Sequence, residues 1–159
     1  MLQVVTRFVG RVLFAFLFVS SGLSKTQGLF VNTTAMVSLL QPRIIKFVET
    51  FMTFLHLKEV DQPEVTPAIA TYLLYATIFL ELVGGVCFIF FPRAGSGLLA
   101  LYLLCVTPIM HDFYNHAPGS QAYVAEMIHF LKNVALLGAT FFVMGTPPPQ
   151  KREKKLKAS

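Results

Sequence analysis

Residues 68–91 read AIATYLLYATIFLELVGGVCFIFF, twenty-four residues with a single charge, Glu81. As a helix at ~1.5 Å per residue such a run covers about 36 Å, enough to cross a hydrocarbon core of roughly 30 Å. A buried helix of a soluble domain needs only about half that length. Pro92-Arg93 ends the run in a tight turn, and a second apolar stretch, Ala94 to Met110, begins at once.

The same pattern continues on both sides. Upstream, about Val4 to Leu23 forms a further apolar run with Arg11 a few turns in, and Lys25 and Gly28 close it. Downstream, a polar loop from His111 to Gln121, with turn chemistry at Pro118-Gly119, leads into about Ala122 to Met144, which Pro147, Pro148 and Pro149 stop. Arg7 and Arg11 ahead of apolar residues, then Ser20, Ser21 and Gly22, imitate a secretory signal. Three further spans make cleavage unnecessary for insertion, so the first run is read as a retained helix. Backbone groups in lipid must pair internally, which leaves helices as the spanning structure. The expected fold is therefore all-α: a four-helix transmembrane bundle with spans at about 4–23, 68–91, 94–110 and 122–144. Residues 1–146 form one membrane domain and 147–159 a basic tail.

Between the first two spans lie about forty residues, Thr26 to Thr66, too many for a turn. Pro42 is well placed to start a helix. Beyond it Ile44, Ile45, Val48, Phe51, Met52 and Leu55 recur at helical spacing, with Arg43, Lys46, Glu49, Thr50 and Thr53 largely between them. This predicts an amphipathic helix over about 42–57. Two placements fit it: on the bilayer surface or across the bundle mouth, or packed on the spans as an ordinary helix.

Composition agrees with lipid as the solvent. Hydrophobic residues make up 55% of the chain, and the 13% that are charged amount to about half the usual soluble share. The net charge is +5, yet five of thirteen basic residues sit in the last nine positions, so the excess describes a tail and no nucleic-acid surface. The expected partners are the bilayer and neighbouring membrane proteins or a second copy of the chain. Cys87 and Cys105 fall inside apolar runs and read as buried free thiols.

Counting Lys and Arg on the two sides of four spans places Arg7, Arg11, Arg93 and the five tail residues together, against Lys25, Arg43, Lys46 and Lys58. Eight against four puts both termini in the cytosol. There the ending Lys155-Leu156-Lys157-Ala158-Ser159 has the K-x-K-x-x form of a retrieval signal to the endoplasmic reticulum, carried by Lys155 and Lys157. Asn32-Thr33-Thr34 fits a glycosylation sequon on the opposite side.

Ionisable residues inside spans are the functional leads, because each costs a few kcal/mol even on lenient scales. They are Arg11, Glu81, Glu126, His129 and Lys132, with Asn133 adjacent. Counting at ~1.5 Å per residue puts Arg11 about 10 Å and Glu81 about 15 Å inside the cytosolic boundary, and Lys132 near the midplane. The expected intramembrane polar core is thus Arg11, Glu81, Lys132 and Asn133, with Glu81 paired to Lys132 or Arg11. Such a pair either fixes helix docking or forms a proton or ligand site.

A second cluster gathers at the non-cytosolic end: Lys25, His111, Asp112, Tyr114 and His116, with Glu126 and His129 as an i, i+3 pair. His and carboxylates are metal and haem ligand types, but no H-x-x-H or H-E-x-x-H spacing is present, so a polar rim is expected and no metal is assigned. Small residues at Gly84-Gly85, Gly95-Ser96-Gly97 and Ala135, Gly138 and Ala139 are explained by close helix packing. There is no Gly-rich phosphate loop, no G-x-S-x-G elbow and no CxxC, so no enzyme is expected.

Several stretches carry a family resemblance: Gly10 to Ala15, Ser21-Gly22-Leu23-Ser24-Lys25, Glu81-Leu82-Val83-Gly84-Gly85, Thr107 to Asn115, and Phe130 to Gly138. On these the chain resembles the DoxX-like membrane proteins, and more closely their plant branch, the HR-like lesion-inducing proteins. The resemblance covers nearly the whole chain and implies a four-helix membrane bundle associated with hypersensitive-response-like lesions. By motif it marks Lys25, Glu81, His111, Lys132 and Asn133. Three functions follow as expectations. The first is a non-enzymatic factor of stress or cell death. The second, from the DoxX side, is a redox subunit holding quinone or haem with His111, Glu81 and Lys132. The third is a small transporter with a Glu81 and Lys132 core.

Overall fold

The computed structural model describes residues 2–57 and 63–146. Four α-helices carry the chain: α1 (Leu2–Phe54), α2 (Pro67–Phe90), α3 (Pro92–Met110) and α4 (Gln121–Gly145), with a 3₁₀ turn at Phe113–Asn115. Among the described residues there is no strand, and four helices are long and apolar enough to cross a membrane. The chain is an all-α integral membrane bundle.

Helix starts follow from local chemistry. Thr66 caps α2 by accepting the N–H of Ile69, with Pro67 at the first helical position, and Ser120 caps α4 by accepting the N–H of Tyr123. Pro92 opens α3 directly after α2 ends.

The first helix departs from expectation. It does not stop at Lys25 and Gly28, and helix takes up most of the first part of the connecting segment. Helix continues to Asn32, whose extended backbone (φ −160°, ψ 89°) kinks it, and resumes to Phe54. The Asn32 side chain accepts the N–H of Ala35 at 2.9 Å and so caps the second segment, 33–54. That segment begins nine residues before Pro42, which lies inside it.

Contacts define an up-down-up-down order. Arg11 reaches Ile89, Gly85 meets Val19 and Ala15, and Gly22 meets Leu82, so α1 runs antiparallel to α2. Gly95 meets Phe88, and Tyr102 meets Glu81, which does the same for α2 and α3. Arg93 bonds Thr146 while His111 bonds Glu126, pairing α3 with α4. The start of α1, the α2–α3 turn and the end of α4 therefore share one end of the bundle.

At the opposite end the 33–54 segment packs Val37 and Ile44 on Ala70, Leu74 and Ile78 of α2. It then reaches the end of α3 and the start of α4 through Arg43, Lys46 and Thr50.

Enclosure is uneven. Helix α2 lies between α1 and α3, whereas α4 packs along α3 and the 3₁₀ turn, with α1 reaching it through Arg43. The core beside it comprises Ala15, Phe18, Phe88, Leu99, Tyr102 and Leu103. At the α2–α3 crossing a methyl on Gly95 would run into the backbone of Cys87 and Phe88, so only glycine fits. Gly97 and Gly138 have open space where a side chain would go, and Ala135 and Ala139 face outward. Internal packing therefore does not account for those small residues. Large apolar side chains cover the outer faces, Phe16, Phe79 and Phe142 among them, as lipid contact requires. Both cysteines are free, but they are not both buried: Cys87 is half-buried and Cys105 faces outward.

Candidate functional site

Glu81 is 1% exposed, the most deeply enclosed charge among the described residues. Three donors from two neighbouring helices converge on it. From α1, Ser21 Oγ donates to Oε1 and Lys25 Nζ to Oε2, each at 2.8 Å. From α3, the Tyr102 hydroxyl donates to Oε1 at 2.5 Å. Lys25 Nζ also donates to the Tyr102 oxygen at 3.1 Å and lies 5.3 Å from the ring centroid.

Local sequence explains the convergence. Ser21 and Lys25 stand four residues apart on one face of α1, so both point at the same turn of α2. Gly22 between them lets the helices close: a methyl there would lie 3.3 Å from Glu81 Cβ and 2.9 Å from Leu82. One wall is aromatic, with Phe14 stacked on Phe88 at 4.7 Å and Phe18 edge-on to Tyr102 at 6.0 Å. In such surroundings an isolated carboxylate costs several kcal/mol, and a paired, fully hydrogen-bonded one is tolerated. The arrangement is a charge-paired clamp across α1, α2 and α3.

The partner of Glu81 is thus Lys25, and neither Lys132 nor Arg11. A first span ending at Lys25 would put that residue in the far polar cluster; the helix instead continues for two turns beyond, which places Lys25 within the bundle. Arg11 instead donates through Nη1 to the carbonyl of Ile89 at 2.9 Å, in the last turn of α2. Arg43 does the same to Met110 at the end of α3, and Arg93 to Thr146 at the end of α4. Each guanidinium satisfies a carbonyl that its helix leaves unpaired and meets the negative end of the helix dipole.

The end cluster forms around Arg43 and Lys46 of the 33–54 segment, which periodicity alone assigns to an amphipathic helix. Lys46 pairs with Asp112 at 2.7 Å, and Arg43 approaches Glu126 at 3.7 Å. His111 Nδ1 contacts Glu126 at 2.9 Å, and its ring stacks on His129 at 5.3 Å. Asp112 also receives Asn115 at 3.3 Å and faces His116 at 3.5 Å, while the Tyr114 hydroxyl donates to Pro108 O. Pro42, Arg43, Lys46, Asp112, His116 and Glu126 line an open depression of about 250 Å³. Two acids face two strong cations, so the cluster binds the 33–54 segment to the α3–α4 connection and has little charge left over. Among the described residues no group of three His, Cys, Asp or Glu could hold a metal ion.

Lys132 and Asn133 do not join either site. Lys132 is exposed on α4, Asn133 is half-buried, and neither side chain has a hydrogen-bond or ion-pair partner among the described residues. The set His111, Glu81 and Lys132, considered for a quinone or haem, is therefore divided between three surroundings. Asn32 is exposed at the kink. The sorting residues Lys155 and Lys157 lie outside the described residues.

Comparison with known proteins completes the description. No curated protein and no solved structure matches the chain. The family described as HR-like lesion-inducing matches residues 3–146, a stretch that contains both polar clusters and all four helices but for Leu2, and the chain belongs to that family.

Proposed function

We propose that the protein is a non-enzymatic membrane factor of the endoplasmic reticulum that acts in stress or cell-death responses, with both termini in the cytosol. The family membership supports the lesion-linked role. The distribution of Lys and Arg supports the orientation, and the K-x-K-x-x ending supports the compartment. One observation favours a non-enzymatic role: Glu81 already meets three donors, so its oxygens serve to join helices and are not presented to a substrate.

The test is expression of the full-length chain with an internal tag in leaf cells, reading electrolyte leakage and membrane fractionation together. Leakage is expected to rise above a vector control, and the protein should co-fractionate with endoplasmic reticulum. Replacing Lys155 and Lys157 by Ala should move it to later secretory membranes. Residence in mitochondria or plastids, or expression with no leakage, would overturn the corresponding half of the proposal.

A further inference from the structure

The geometry points to the outward face of α4 as a docking surface for a transmembrane helix of another protein, one that carries an Asp or Glu at mid-bilayer depth. Lys132 carries the argument. It lies eleven residues from Gln121 and thirteen from Gly145, or about 16 Å and about 20 Å along the axis. Lysines near helix ends reach the interface by snorkelling, but a four-carbon stem covers only a fraction of those distances. Thr140 is the one buried residue of α4; Leu136 and Val143, four and eleven residues past Lys132, pack on the core, so exposed Lys132 stands at the edge of the face turned toward α3. The cation is thus exposed and without a partner among the described residues, at the depth where an unpaired charge costs most.

The surroundings of Lys132 suit a helix. Ala125, Ile128, Lys132, Ala135 and Ala139 recur at i, i+3, i+7, i+10 and i+14, all exposed. Three of the five are alanines, and nearby Gly138 has nothing within 4 Å of where a methyl would sit. The outward stripes around Phe16 and Phe79, both more than half exposed, carry mostly large side chains, with Ala76 beside Phe79 as an exception. Small residues let two backbones approach closely, and in lipid that contact, with a polar pair, drives association.

Charge complementarity selects the occupant. A second copy meeting through the same face would set Lys132 against Lys132. Nor does this chain offer a free carboxylate at that depth: Glu81 is enclosed and held by three donors, Glu126 is engaged by His111 and Arg43, and Glu49 lies on the 33–54 segment at the end of the bundle. The partner must bring the acid.

The full chain, donor-labelled in lipid nanodiscs, can be titrated with acceptor-labelled poly-leucine transmembrane peptides bearing Glu, Leu or Lys at the centre. The Glu peptide is expected to associate about tenfold more strongly than the Leu peptide, and the Lys peptide not at all. Lys132→Leu should erase the Glu preference, Lys132→Arg should keep it, and neither should lower the thermal midpoint. Equal association of the Glu and Leu peptides with the wild-type chain would overturn the proposal without any variant. So would a Glu preference that survives Lys132→Leu, or self-association of the chain that Lys132→Leu abolishes.

Discussion

Glu81 on α2 and Lys132 on α4 both stand near the middle of an apolar helix, yet α2 is enclosed by α1 and α3 while α4 packs along α3, with the 3₁₀ turn and Arg43 touching only its first turns. Glu81 has three donors within 2.8 Å, and Lys132 has none among the described residues. A charge inside a span is settled by which helices flank it. Where two neighbours are present the chain neutralises its own charge and gains a crosslink between helices. Where one side is open, the charge is left for something outside the chain.

Substitutions can break or sharpen this contrast. The largest effect is expected from Glu81→Ala, which leaves the Lys25 ammonium without its counter-charge between helices. Unfolding in bicelles should become easier by about 3–5 kcal/mol, toward the lower end because the Lys25 side chain is 28% exposed. Gly95→Ala comes next: its methyl meets backbone at the α2–α3 crossing, which cannot rotate away. A loss of about 1–3 kcal/mol is expected, visible in the same assay. Tyr102→Phe removes a single donor from Glu81 and keeps the aromatic wall, so about 1–3 kcal/mol should be lost. Lys132→Leu should cost nothing and raise stability slightly, since it removes an outward charge from lipid contact. If Lys132→Leu destabilised the isolated chain as Glu81→Ala does, the contrast between the two positions would disappear.

How much of this was legible depends on how local each feature is. The spans expected from about 68, 94 and 122 begin within two residues of those positions, because apolar runs and Pro92 act locally. The caps at Thr66 and Ser120 come from the structure, and Pro92-Arg93, expected as a tight turn, instead opens α3. Glu81 was visible as the only charge in its span. Its partner was not, because Lys25 followed by Gly28 has the composition of a helix end, and the helix instead continues to a cap at Asn32. Asn-Thr-Thr was read as a sequon, whereas its Asn also starts the next helical segment. Depth counting brought Lys132 and Glu81 level but says nothing about lateral position, and α4 does not pack on α2. The pairing of Arg43 and Lys46 with Glu126 and Asp112 joins residues more than sixty positions apart, beyond any periodic signal.

The clamp across α1, α2 and α3 is tested most directly by a double-mutant cycle on Lys25 and Glu81, with unfolding free energies measured in one lipid system. Lys25→Met and Glu81→Leu should each destabilise the chain by several kcal/mol, and the double variant should recover most of that loss, because it leaves no charge unpaired. Losses that simply add would mean the two residues do not act on each other, and the account of the core would be wrong.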